Sequence, residues 1–168
     1  MGTYYSFDGA IEISPPLNYA EIKAVQAAVV AKLHPHQVKA AEKMSSPEDI
    51  FQNYMPFTLV IEGEEKETDD GVLTVKRAYW IRPCRTSEGY LGYAMGALME
   101  AIVAAAPGHA WRGQIVAVHE DRMTAKKLVV DLPKVMLQEK DRILREVTGS
   151  SFIRWESPDD DEQLVDFL

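Results

Sequence analysis

The sequence predicts an α+β fold: an antiparallel sheet covered by two helices, with additional C-terminal strands. Three observations predict it. The first segment alternates apolar and polar residues with a period of two, two later segments carry apolar or small residues at helical spacing, and prolines and glycines punctuate the chain between them.

Thr3, Tyr5, Phe7, Gly9, Ile11 and Ile13 alternate with Tyr4, Ser6, Asp8, Ala10 and Glu12, as in a half-buried strand. Pro15-Pro16 then ends pairing, because proline lacks the amide donor. A helix is predicted to start at once. Asn18 is a suitable N-cap, Glu21 closes a capping box, and Leu17 with Ile22 has the spacing of a hydrophobic staple. Ile22, Val25, Val29 and Leu33 continue the apolar stripe, and His34-Pro35 is expected to stop it.

Ser46 is placed to cap a short turn over Pro47, Glu48 and Asp49. A second strand is expected at Phe57 to Ile61, followed by a long acidic hairpin loop over 62 to 71 and a returning strand from Val72 to Ile81. A second helix is expected from Ser87 to Ala106, closed by Pro107-Gly108. Ala110 to His119 reads as a further strand. The resulting β-α-β-β-α-β order is that of a ferredoxin-like sandwich. Lys127 to Val130 and Phe152 to Trp155 add strands at the C-terminus, while Pro133 to Val147 reads either as a helix or as a charged hairpin turning at Glu139-Lys140-Asp141. Residues 1–155 are expected to form one domain and residues 156–168 an acidic tail.

With 168 residues the chain is long enough to bury a core without staples, and the lone Cys84 excludes an internal disulfide and fits a reducing compartment. The net charge of -8 is unevenly spread: residues 62–70 carry six acids and one base, and residues 156–168 carry six acids and no base. The rest is therefore mildly basic. Its Lys76, Arg77, Lys126 and Lys127 are interleaved with Glu120, Asp121 and Asp131, which argues against a nucleic-acid patch. Met1-Gly2 with Ser6 satisfies a loose myristoylation pattern, but the same residues read better as strand. No secretory signal is present, and the most apolar stretch, Gly89 to Ala106, is short for a membrane span and holds Glu100 near its middle. A cytoplasmic protein with no membrane association is expected.

Two surfaces are candidates for binding. Between Gly89 and Ala106 the second helix carries Glu100 as its one charge, with Gly92 and Gly96 among alanines, so it must be closely packed. It is either sandwiched between the sheet and the C-terminal strands or buried at an interface with a second copy or a partner. The other surface is the sheet face opposite the helices. If odd positions on the first two strands point to the helices, then Tyr4, Val60, Trp80 and Val118 lie on the far face beside Arg82 and Arg112. An aromatic and basic open sheet is how RNA-recognition domains stack bases, but residues 73–81 lack their glycine-aromatic signature. Trp80 is then expected under the C-terminal strands or against a protein partner, for which Tyr, Trp and Arg are good anchors.

Chemistry is less well marked. Cys84, flanked by Arg82 and Arg85, sits where a nucleophile could be activated, with His109 and His119 as bases that could approach in space. His34 and His36 form a His-x-His pair without further ligands at a recognised spacing, so no metal is expected, and no phosphate loop, nucleophile elbow or dinucleotide fingerprint calls for a cofactor. His109, following Pro107-Gly108, reads most simply as a turn residue bonded to a backbone carbonyl.

Gly9-Ala10-Ile11-Glu12-Ile13-Ser14-Pro15-Pro16-Leu17, the stretch Glu88-Gly89-Tyr90-Leu91-Gly92-Tyr93, and the turn Pro107-Gly108-His109 leading to Gly113-Gln114-Ile115 are similar to a family of small uncharacterised proteins from actinobacteria and their phages. The resemblance covers about a third of the chain; residues between His34 and Met55, and those after Val118, depart from it. It implies a setting and no catalytic residue: a small accessory protein, encoded by a phage or prophage, that binds and inhibits or modulates a host factor, including defence components. The expectation is thus a non-catalytic protein-binding protein. The alternatives are an enzyme built around Cys84, His109 and His119, and an acidic nucleic-acid mimic.

Overall fold

A computed structural model describes residues 5–32, 57–83, 94–119, 124–134 and 152–158. In chain order the elements are β1 (Tyr5–Leu17), α1 (Tyr19–Lys32), β2 (Phe57–Thr68), β3 (Gly71–Pro83), α2 (Ala94–Ala105), β4 (Ala110–His119), β5 (Ala125–Leu132) and β6 (Ile153–Glu156). The six strands form one antiparallel sheet in the order β2-β3-β1-β4-β5-β6. The α+β reading therefore holds.

Local chemistry sets the start of α1. The Asn18 side-chain oxygen accepts the Glu21 amide at 3.0 Å and the Glu21 carboxylate accepts the Asn18 amide at 2.8 Å, the reciprocal capping box. Leu17 and Ile22 are both buried in the same core, as the staple spacing requires, and Ile22, Val25 and Val29 form the buried stripe. The His34-Pro35 stop and the capped turn at Ser46 lie outside the described residues.

One row of side chains shows how the sheet covers its core. Leu59, Ile81, Ile11, Gly113, Val130 and Ile153 are successive cross-strand partners from β2 to β6, and all but the glycine are buried against α1 and α2 residues such as Val25, Val29, Met99 and Ile102. Trp111 and Ile115 on β4 face the same core, with the Trp111 indole N–H buried and without a hydrogen-bond partner among the described residues. Gly9 and Gly113, with φ of 109° and 144°, let β1 and β4 approach closely: a Cβ on Gly9 would overlap the Gln114 carbonyl oxygen, and one on Gly113 the Ala10 carbonyl oxygen.

Three expectations are corrected. The acidic run is not a loop: residues 62–68 continue β2 and pair rung by rung with β3 from Glu62↔Arg77 to Thr68↔Gly71, leaving a two-residue turn at Asp69-Asp70. Carboxylates alone disfavour strand, but here they sit opposite Val72, Thr74, Val75 and Arg77, and Thr68 Oγ1 donates to the Gly71 carbonyl at 2.8 Å to close the turn. The C-terminal strands do not cover a face, because β5 and β6 extend the sheet edgewise beyond β4. Consequently β5 and β6 do not lie over Trp80, and α2 packs against α1 and against β6 as part of that same sheet. Finally, Glu156, assigned to the tail, closes β6, its carboxylate accepting from Arg154 Nε at 2.8 Å. Residues 135–147, the helix-or-hairpin segment, lie outside the described residues.

Candidate functional site

The face opposite the helices carries the candidate surface. A second row of cross-strand partners, Val60, Trp80, Glu12, Arg112 and Asp131, runs parallel to the buried row and one residue out of phase with it. Strand pleating puts these side chains on the other side of the sheet, and no described element covers them. Trp80 is half-buried and Arg82, two residues on, holds its guanidinium 5.6 Å from the indole centre. That stacking orients both groups. Arg112 approaches the Asp131 carboxylate at 3.6 Å with both side chains about two-thirds exposed (67% and 68%), so this ion pair adds little stability and stays available to a partner.

Trp80, Arg82 and Arg112 are therefore brought to one face, as expected. Tyr4 lies outside the described residues. The place of Glu12 and Asp131 on this face was not evident from the sequence; only the register sets Glu12 between the strands of Arg82 and Arg112, and Asp131 beyond Arg112. Further along the same face Ser6, Asp8, Gln114, Val116 and Val118 line an open depression of about 480 Å³ over the Gly9 bend. It is lined by polar and apolar groups in mixture, without a convergent charge.

The small-residue helix reads differently from the face. Gly96 faces β6, where an added Cβ would lie 3.7 Å from the Trp155 indole nitrogen, an ordinary contact that leaves room for alanine. Gly92, the other glycine of that candidate surface, lies outside the described residues, as do Cys84, His34 and His36. His109 and His119 stand at opposite ends of β4, roughly 30 Å apart at about 3.3 Å per residue, and cannot serve one reacting centre. Each has its own place. The His119 ring meets Tyr5 edge-on at 5.1 Å, whereas His109 is buried at the α1 N-terminus, donating from Nδ1 to the Pro15 carbonyl at 2.6 Å. Its Nε2 lies 2.9 Å from Glu21 Oε1, a charge-assisted contact when the ring is protonated.

Further along β2, on the same side of the sheet as Val60, the Tyr79 hydroxyl donates to Glu64 on the β2–β3 hairpin. That hydrogen bond, helped by desolvation and by the nearby carboxylate charge, raises the Tyr79 pKa above 10.0. Among the described residues no group of three or more His, Cys, Asp or Glu is placed to hold a metal ion, and no helix is long and apolar enough to cross a membrane.

Fold and surface together define an α+β protein with one sheet face covered by helices and one that no described element covers. Comparison with protein-family models, with curated proteins and with solved structures finds no match for the chain.

Proposed function

We propose that this chain is a non-catalytic accessory protein that acts by binding another protein through the open face of its sheet. The observation that carries this reading is the Trp80–Arg82 stack on a face that no described element covers, flanked by Glu12, Arg112 and Asp131. Indole and guanidinium groups held at the centre of a mixed-charge surface are the residue types that dominate protein interfaces. Alternating Glu12, Arg112 and Asp131 suit a protein surface of mixed sign better than a nucleic-acid backbone, which would repel the carboxylates.

We read the first four strands as a ferredoxin-like sandwich. Their order β2-β3-β1-β4, all antiparallel, with α1 linking β1 to β2 and α2 linking β3 to β4, supports that reading, and β5 and β6 are then additions at one edge. The resemblance to actinobacterial and phage proteins supports the setting: a phage- or prophage-encoded modulator or inhibitor of a host factor in the host cytoplasm. Immobilised chain exposed to lysate of an actinobacterial host should retain a protein that the Trp80→Ala, Arg82→Ala double variant does not. Equal retention by both, or a turnover activity of the chain itself, would overturn the reading.

A further inference from the structure

We propose that the outer edge of β2 is a second docking site, which takes an extended lysine- or arginine-rich segment of a protein partner as an added strand. The proposal rests on the protein-binding reading and goes beyond the open face.

Three observations lead to it. Among the described residues β2 pairs with β3 alone, so one side of a strand of 12 residues presents unpaired amides and carbonyls over about 40 Å. That edge contains no proline, and the one irregularity in the β2–β3 ladder is the extra residue Tyr79 on the other strand. Proline and a bulge, two common blocks to strand addition, are thus missing from β2. Second, β1 leaves β3 at Ala78, so the seven rungs from Glu62↔Arg77 to Thr68↔Gly71 form a two-stranded ribbon that no third strand among the described residues supports. Such a ribbon is marginal alone and gains from a third strand. At its end Val72 and Leu73 of β3 are 66% and 54% exposed, so the ribbon also carries apolar surface that its own two strands leave open.

Charge decides which strand. Glu62, Glu64, Glu65 and Glu67 project from β2 against the single Lys66, and of these only Glu64 has an ion pair among the described residues, with Arg77 at 3.6 Å. A second copy pairing edge to edge would bring carboxylates together, which is destabilising, whereas a basic strand would place cations beside them. The carboxylates thus protect the edge from self-association and select for a basic partner.

The test uses the full chain and two synthetic peptides of about ten residues, one alternating Lys with Val and the other alternating Glu with Val. Amide hydrogen exchange is read between Phe57 and Thr68. The lysine peptide is expected to slow the outward-pointing half of these amides by about tenfold or more and the glutamate peptide to leave them unchanged. Glu65→Lys with Glu67→Lys, both exposed positions, should abolish the effect without altering the circular dichroism spectrum. No slowing at β2, equal slowing by both peptides, or concentration-dependent slowing in the chain alone would each overturn the proposal. The Trp80→Ala, Arg82→Ala variant run alongside separates the two readings: it should keep β2 protection while losing the open-face partner. A partner lost with Trp80 while β2 stays unprotected overturns the edge proposal and leaves the open-face reading standing.

Discussion

The imidazole of His109, just ahead of β4, ties the end of β1 to the start of α1, with Nε2 2.9 Å from Glu21 Oε1 and Nδ1 2.6 Å from the Pro15 carbonyl. Glu21 also caps α1 through its other oxygen, so the contact fixes the end of β1, the start of α1 and the turn before β4 against one another.

Replacing His109 by Ala is expected to cost about 2–3 kcal/mol in urea denaturation, the range for losing hydrogen bonds to a carbonyl and a carboxylate in a buried setting. A double-mutant cycle with Glu21→Ala should give a coupling of about 1–2 kcal/mol. Additive effects would show that the two residues do not interact.

Gly113→Ala is expected to destabilise by about 3 kcal/mol, because the new Cβ meets the Ala10 backbone and φ is 144°. Gly71→Ala, with φ of 131° but nothing within 4 Å, should cost only about 1 kcal/mol. Thermal unfolding of the two variants separates backbone strain from collision.

Gly96→Ala should stabilise by about 0.5–1 kcal/mol, since alanine favours the helix and its Cβ would meet Trp155 only at ordinary contact distance, 3.7 Å. Loss of stability in the same denaturation assay would show a tighter α2–β6 contact than the structure has.

Glu64→Ala should lower the Tyr79 titration midpoint toward 10.0, followed by NMR of the tyrosine ring. The sign follows from the raised native value. Any stabilisation from the Tyr79–Glu64 contact is complete below about pH 10, the unfolded value, and is lost as pH rises through the native one.

What the sequence shows depends on how local the cause is. The α1 start was legible because Asn18, Glu21, Leu17 and Ile22 cap and staple one another within a single turn, and β4 was legible because Pro107-Gly108 marks its entry. The acidic half of β2 was not, since Glu62 to Glu67 look like loop until β3 is laid beside them. Tyr79 explains another limit. As an extra residue in β3 it shifts the inward phase, so that Ala78 and Ile81 are both buried although their positions differ in parity. The Glu12, Arg112 and Asp131 row and the His109–Glu21 contact are set by pairings across the fold, which no local pattern encodes.

The most direct test of the open-face account is the affinity of the retained partner for wild type and for Trp80→Ala, measured by calorimetry on chains with matching circular dichroism. The account predicts a loss of about 30-fold or more, the effect of removing an interface anchor worth about 2 kcal/mol. An unchanged affinity would contradict it.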